Sequence, residues 1–235
     1  MSPKAKKSEL ERLAAVGRAQ GFLMHEMRNT LVMAGLLARN LQKRPKLAKK
    51  DRVTVDRIIE TINAGEKLIR DSMDLFKPMT GKRSAVGVGN LLQGAVRSVG
   101  PLAKERSILV QKDLPRGYRA EILCSRRKFQ YALSNILRNA VESMRAGAGV
   151  VNIAYRANER RVTIETSDMG RGMSKETLER VFDPFFTTKE DGSGLGLAIA
   201  KKIIEDHEGT IRIKSEPKRG TKFTISLPTA KLLKG

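Results

Sequence analysis

Three short runs of the chain carry side chains whose types and spacing suit one kind of ligand. Asn135 and Asn139 in NILRNA stand four residues apart, so on a helix they share a face and offer amide oxygens to a metal ion. Asp168 in DMGRGM can accept the exocyclic amine of a purine, while Gly170 and Gly172 let backbone come close to a flat ring. In GSGLGLA, Gly192, Gly194 and Gly196 precede an apolar helix, and amides at a helix N-terminus bind phosphate well. Together these groups describe a site for a nucleoside triphosphate. Each has a plainer reading alone: solvated helix asparagines, a simple turn, a helix start. The far end of the chain adds His25, followed by Glu26. An imidazole nucleophile needs a neutral ring, a carboxylate to take a proton and room for the incoming group, and an exposed helix flank offers all three.

The elements that must hold these groups change character near Pro78. Before it, Leu10, Leu13, Gly17, Gln20, Met24, Met27, Leu31, Ala34, Ala38 and Leu41 recur at steps of three and four. That pattern is a coiled-coil-like seam on one helix of roughly 50 Å at about 1.5 Å per residue. Pro45 breaks it, because a proline disfavours helix at its predecessor. Val55, Ile58, Ile62, Gly65, Ile69, Ser72 and Phe76 then mark a second helix, and the pair reads as an antiparallel hairpin. A lone hairpin cannot cover both sides of its apolar stripe, so a homodimeric four-helix bundle is expected.

After a linker at 79–83 the pattern is mixed. Helix is expected from Val88 to Val99, with Asn90 as a candidate N-cap, and from Arg127 to Met144. Strands are expected at Ile108–Gln111, Val150–Tyr155, Arg161–Thr166, Ile211–Ser215 and Lys222–Leu227, with a helix at Leu197–Asp206. Asp168 then falls at a strand end. The aromatic run VFDPFFTTK reads as a lid hinge, and Gly209 as the cap that ends the last helix. The expected fold is α+β: a helical hairpin over 1–78 and a two-layer α/β sandwich over 84–235.

Composition narrows the setting. Forty-six Lys and Arg against 25 Asp and Glu give a net charge of +21, which attracts nucleotide, acidic protein or nucleic acid without choosing among them. The basic runs at Lys4–Lys7, Lys43–Arg52 and Arg126–Lys128 lack interleaved aromatics, so no specific nucleic-acid partner is expected. Cys124 is the single cysteine, which excludes an intrachain disulfide and points to a reducing compartment. No apolar run approaches the ~20 residues of a membrane span, so a cytoplasmic chain is expected.

These motifs resemble the ordered boxes of the sensor histidine kinases. HEMRNTL is similar to their H box, NILRNA to the N box, DMGRGM to the first glycine box, FDPFF to the F box and GSGLGLA to the second glycine box. The likeness runs from about Ser8 to Pro228, and NILRNAVES with FFTTK most resembles the nitrogen-regulatory subgroup. The resemblance implies a phosphotransfer hairpin followed by the ATP-binding fold shared with DNA gyrase, a heat-shock chaperone and a mismatch-repair ATPase. It implies His25 as phosphoacceptor, Glu26 as acid/base, and Asn29 with Glu26 as an ExxN pair for dephosphorylating a response-regulator receiver. Asn139 becomes the magnesium ligand with Asn135 nearby, and Asp168, Gly170, Gly172 and Met173 the adenine side of an ATP site. Phe182, Lys189, Gly192, Gly194, Leu195, Gly196 and Leu197 become the lid, with Lys189 and Arg138 as phosphate contacts.

Three positions depart from the family pattern. Thr30 stands where proline is common, Glu142 where a basic residue often sits, and Glu208 where a glycine is frequent. Two other readings stay open at this level: a clamp ATPase of the same superfamily, which gives no reason for His25 and Glu26, and a scaffold with a silent nucleotide domain. The stretch before His25 is too short for a sensory domain, so a longer parent chain or a signalling partner is expected.

Overall fold

The computed structural model describes residue 24 and residues 27–44, 47–76, 82–114, 118–145, 147, 149–189 and 192–234. His25, Glu26 and the seam positions from Leu10 to Gln20 lie outside the described residues, as does most of the 79–83 linker. The chain divides into two compact units, Met1–Lys77 and Pro78–Gly235.

In the first unit, helix α1 spans residues 27–42 and α2 spans Lys49–Phe76. α1 runs through Thr30 as regular helix, as the absence of proline allows. The pair is antiparallel: Gln42 donates to Asp56 at 2.5 Å, Gly35 faces Ile62, and Gly65 faces Leu31. Ala38, Val55 and Ile62 form a buried cluster with Leu31, Ala34, Leu47 and Ile59 against it. On α2 the expected seam positions Val55, Ile62 and Ile69 are buried, whereas Ile58 is exposed and Ile59 packs inward in its place. On α1 the expected seam residues Met27 and Leu41 are exposed, together with Met33, Leu36 and Leu37.

The second unit is two layers. Its main sheet has the order β2-β4-β5-β7-β6, built from β2 (Leu109–Asp113), β4 (Val150–Ala157), β5 (Arg161–Asp168), β6 (Thr210–Glu216) and β7 (Gly220–Pro228). β2 joins β4 in parallel and the other pairs are antiparallel. A smaller antiparallel sheet pairs β3 (Tyr118–Cys124) with β1 (Ser84–Gly87) and β8 (Lys231–Lys234). Strand alternation sends Ile153, Tyr155, Val162, Ile164, Phe223 and Ile225 into the core. Onto it pack α3 (Val88–Glu105), α4 (Arg126–Ser143) and α6 (Gly196–Asp206), α4 lying between the other two and burying Phe129, Leu133, Ile136, Leu137 and Val141. A six-residue helix, α5 (Lys175–Arg180), begins where Ser174 Oγ accepts the Thr177 N–H.

Several expectations at element ends are corrected. Asn90 lies inside α3, whose N-cap is Gly87. α3 also continues through Pro101 to Glu105, because Val99 and Ala103 keep its apolar face buried past the proline. Gly209 does not carry the left-handed turn after α6. Glu208 does, at φ 58°, and Gly209 is required by contact: a Cβ there would lie 2.9 Å from the Ile204 oxygen and from Leu227. Cys124 is fully buried, which pushes its thiol up to about 11 and makes it an inert core residue.

Candidate functional site

The site is organised along one face of α4. Asn135, Asn139 and Ser143 follow one another at four-residue steps, so a single rigid helix presents them in a row. Asn135 is buried, and its Nδ2 donates to the Gly196 carbonyl at 3.2 Å. This bond fixes the first turn of α6 against α4, which makes Asn135 a brace for the glycine loop. Asn139 is half-buried, and its Oδ1 accepts from the Lys189 ammonium at 2.6 Å. The same ammonium meets Glu142 Oε2 at 2.5 Å. Arg138 is half-buried on the same helix.

Asp168 ends β5 with 6% of its surface exposed. Its Oδ1 accepts the Gly170 N–H and the Ser143 hydroxyl, both at 2.9 Å. Burial raises its carboxyl above the usual value, and the bonds from Gly170, Ser143 and the Thr221 backbone oppose that rise. A desolvated carboxylate with further acceptor capacity is suited to reading an amine.

The neighbouring glycines meet a need within the protein itself. A Cβ on Gly170 would lie 2.0 Å from Ser143 Oγ, and one on Gly172, at φ 63°, would lie 1.8 Å from the Glu216 oxygen. They allow close approach to the protein's own backbone. Arg171 N–H donates to the Ser143 carbonyl at 3.1 Å, and the Arg171 carbonyl accepts from Lys218 at 2.7 Å. Met173 is half-buried beyond this stitched segment.

The expected phosphate side is built from the run after α5. Phe182 lies under the Lys201 ammonium at 5.4 Å, and Phe186 under the Arg180 guanidinium at 4.4 Å, so both rings are packed. Phe185 is 60% exposed and holds φ 66°, a strained conformation for a bulky residue. Its N–H donates to the Gly194 carbonyl at 3.1 Å, and Gly194, at φ 67°, has no room for a Cβ against Phe185 backbone. A Cβ on Gly192 would lie 2.3 Å from Thr187 Oγ1. Leu195 is fully buried as the N-cap residue of α6 and Leu197 is buried in its first turn, so these side chains anchor the loop in the core. Asn29 is exposed on α1, in the other unit.

Sequence reasoning missed Ser143 and Thr221. Ser143 continued the four-residue spacing of Asn135 and Asn139 and could have been found from it. Thr221 is opposite Asp168 only through the register of β5 with β7, which no local pattern prints.

A sheet covered on one face by helices, with a buried carboxylate at a strand end and a glycine loop opening a helix, has direct counterparts. Residues 124–231 match the family described as "Histidine kinase-, DNA gyrase B-, and HSP90-like ATPase". The C-terminal unit is a domain of that class. Sporulation kinase D of Bacillus subtilis (strain 168) is 30% identical over 227 residues, covering 95% of this chain and 44% of that protein. Sensor histidine kinase ZraS of Klebsiella oxytoca is 30% identical over 222 residues, covering 93% of this chain and 47% of that protein. Full-length ShkA in complex with AMPPNP superposes with a TM-score of 0.80 at 26% identity, over 93% of this chain and 47% of that one. Over 93–95% of its length the chain is similar to these kinases. It spans under half the length of these relatives.

Proposed function

We propose that the chain is the catalytic core of an ATP-dependent protein histidine kinase, with residues 1–78 as the phosphoacceptor hairpin and 84–235 as the nucleotide domain. The observation that carries the reading is the convergence on α4: Asn139 beside the lid lysine, Ser143 holding Asp168, and Asn135 holding the start of α6. Asp168 reads the adenine amine, and the amides opening α6 receive phosphate. The bound AMPPNP in the related ShkA structure supports an adenine nucleotide as ligand.

Asn139 Oδ1 already faces a cation 2.6 Å away, so the amide oxygen is placed to hold a cation. Among the described residues no group of three or more His, Cys, Asp or Glu could hold a metal; magnesium at Asn139 would complete its shell with water and phosphate oxygens. Bound there, magnesium would neutralise phosphate charge.

In the reaction, an imidazole nitrogen of His25 bonds to the γ-phosphorus, the bond from that phosphorus to the bridging oxygen breaks, and ADP departs. Glu26 takes the ring proton. The phosphoryl group then passes to an aspartate of a response-regulator receiver, and Asn29 orients water for the reverse dephosphorylation. The exposed row Met33, Leu36, Leu37 and Leu41 on α1 supports a homodimer joined through the hairpins. No described helix is long and apolar enough to cross a membrane. Incubation with γ-labelled ATP and magnesium tests the reading: acid-labile label appears on the wild type and is absent from His25→Ala. Label that persists in His25→Ala overturns it.

A further inference from the structure

The Lys189 ammonium bonds the proposed metal-ligand oxygen, Asn139 Oδ1, at 2.6 Å and Glu142 Oε2 at 2.5 Å. Lysine and magnesium are both cations, and held together on one amide oxygen they would repel across a few ångströms. The lysine lies at the end of the run that carries Phe182, Phe185 and Phe186, so its ion pair also tethers that run to α4. The tether is modest, because both side chains keep about a third of their surface in solvent, 30% for Lys189 and 26% for Glu142. An interaction of that size can be exchanged by a ligand that binds the freed oxygen.

We propose that Glu142 is a positioning residue that holds Lys189 on Asn139 as a stand-in cation, so that magnesium can bind with nucleotide only by displacing the lysine and releasing the lid run from α4. The inference rests on the nucleotide reading above and adds a step to it: metal entry and lid release become one exchange. It also gives Glu142 a use. A carboxylate one turn from the metal ligand, taken by itself, attracts magnesium; paired with Lys189, it maintains the competitor. The two roles predict opposite signs when the carboxylate is removed.

The test titrates magnesium into the full chain at fixed ADP, reading ADP binding by calorimetry, for wild type, Glu142→Gln, Lys189→Met and the double variant. Expected is a fall of about two- to fivefold in the magnesium concentration for half-saturation in each single variant. The double variant should shift no further than either single one, since both break the same contact. ADP affinity in EDTA should be equal in wild type and Glu142→Gln. In parallel, Lys189 is acylated with an amine-reactive ester and read by mass spectrometry. Labelling should rise in nucleotide-free Glu142→Gln, and in wild type on adding magnesium with ADP. A magnesium requirement that is unchanged or higher in Glu142→Gln, or additive shifts in the double variant, overturns the exchange while leaving the nucleotide reading intact. Absence of ADP binding by wild type overturns both.

Discussion

His207 makes a sharp prediction about acid. Its ring is 3% exposed at the end of α6, with Nδ1 donating to the Ile203 carbonyl at 2.6 Å and Nε2 accepting the Ser125 N–H at 3.1 Å. Phe129 meets it edge-on at 5.7 Å between ring centroids. Both nitrogens are therefore used by the neutral ring, and protonating Nε2 would point two donors at each other. Burial is the largest cause lowering its pKa from the usual 6.5; Arg83 and Lys128 lower it further, while the Ile203 carbonyl and Asp206 oppose them. Because the folded pKa is depressed, the unfolded chain binds the proton more readily. Stability is then complete above the unfolded pKa near 6.5 and is lost as pH falls from there toward the folded pKa. The loss approaches about 1.4 kcal/mol per pH unit for one proton. His207→Ala removes this slope and costs about 3–5 kcal/mol at pH 7.5, from the stranded Ser125 N–H and Ile203 carbonyl together with the cavity beside Phe129. Urea unfolding at pH 7.5, 6.5, 6.0 and 5.5 on both proteins gives the difference curve, in which His25 and the carboxylates cancel. Equal slopes for the two proteins would refute the argument.

Three further outcomes follow from the site. Asp168→Asn should abolish ADP binding in calorimetry yet leave melting temperature at pH 7 unchanged or raised, because a carboxyl whose pKa the fold raises opposes folding once ionised. Gly194→Ala forces a left-handed backbone and a Cβ 2.3 Å from the Phe185 carbonyl carbon, so it should cost at least about 1–2 kcal/mol in urea titration and weaken ADP binding. Glu208→Gly relieves φ 58° and should stabilise the unfolding transition by about 0.5–1 kcal/mol, little offset by loss of the exposed Arg83 pair at 3.5 Å.

The parts of the fold carried by local period were legible in the sequence. α4, β4, β5 and α6 fall within a residue or two of their expected bounds, because long amphipathic stretches and clean alternation announce themselves. β1 and β3 were not foreseen: they are edge and centre of a small sheet whose pairing partner, β8, lies more than a hundred residues further on. The chemistry-bearing types at Asn139, Asp168 and Lys189 were readable, whereas their neighbours were not. Gly170 and Gly172 looked like room for a ligand and also make room for Ser143 and Glu216, a need visible only through tertiary contact. Leu195 and Leu197 belonged to a binding motif by position and to the core by burial. The α2 seam held at Val55, Ile62 and Ile69 and missed by one residue at Ile58, because steps of three and four are interchangeable where Ile58 and Ile59 are both apolar.

The two ends of the candidate site are held with unequal firmness. At Asp168 the backbone is sewn on both sides, to Ser143 and to the β6–β7 turn, and the bonds to its carboxylate are buried or half-buried. At Lys189 a single half-wet ion pair and one amide contact do the holding. The cleft is thus a vice with one fixed jaw and one sliding jaw. On the nucleotide reading, the base would meet a surface that does not give and the phosphates one that can, so selection among bases would fall to the fixed jaw.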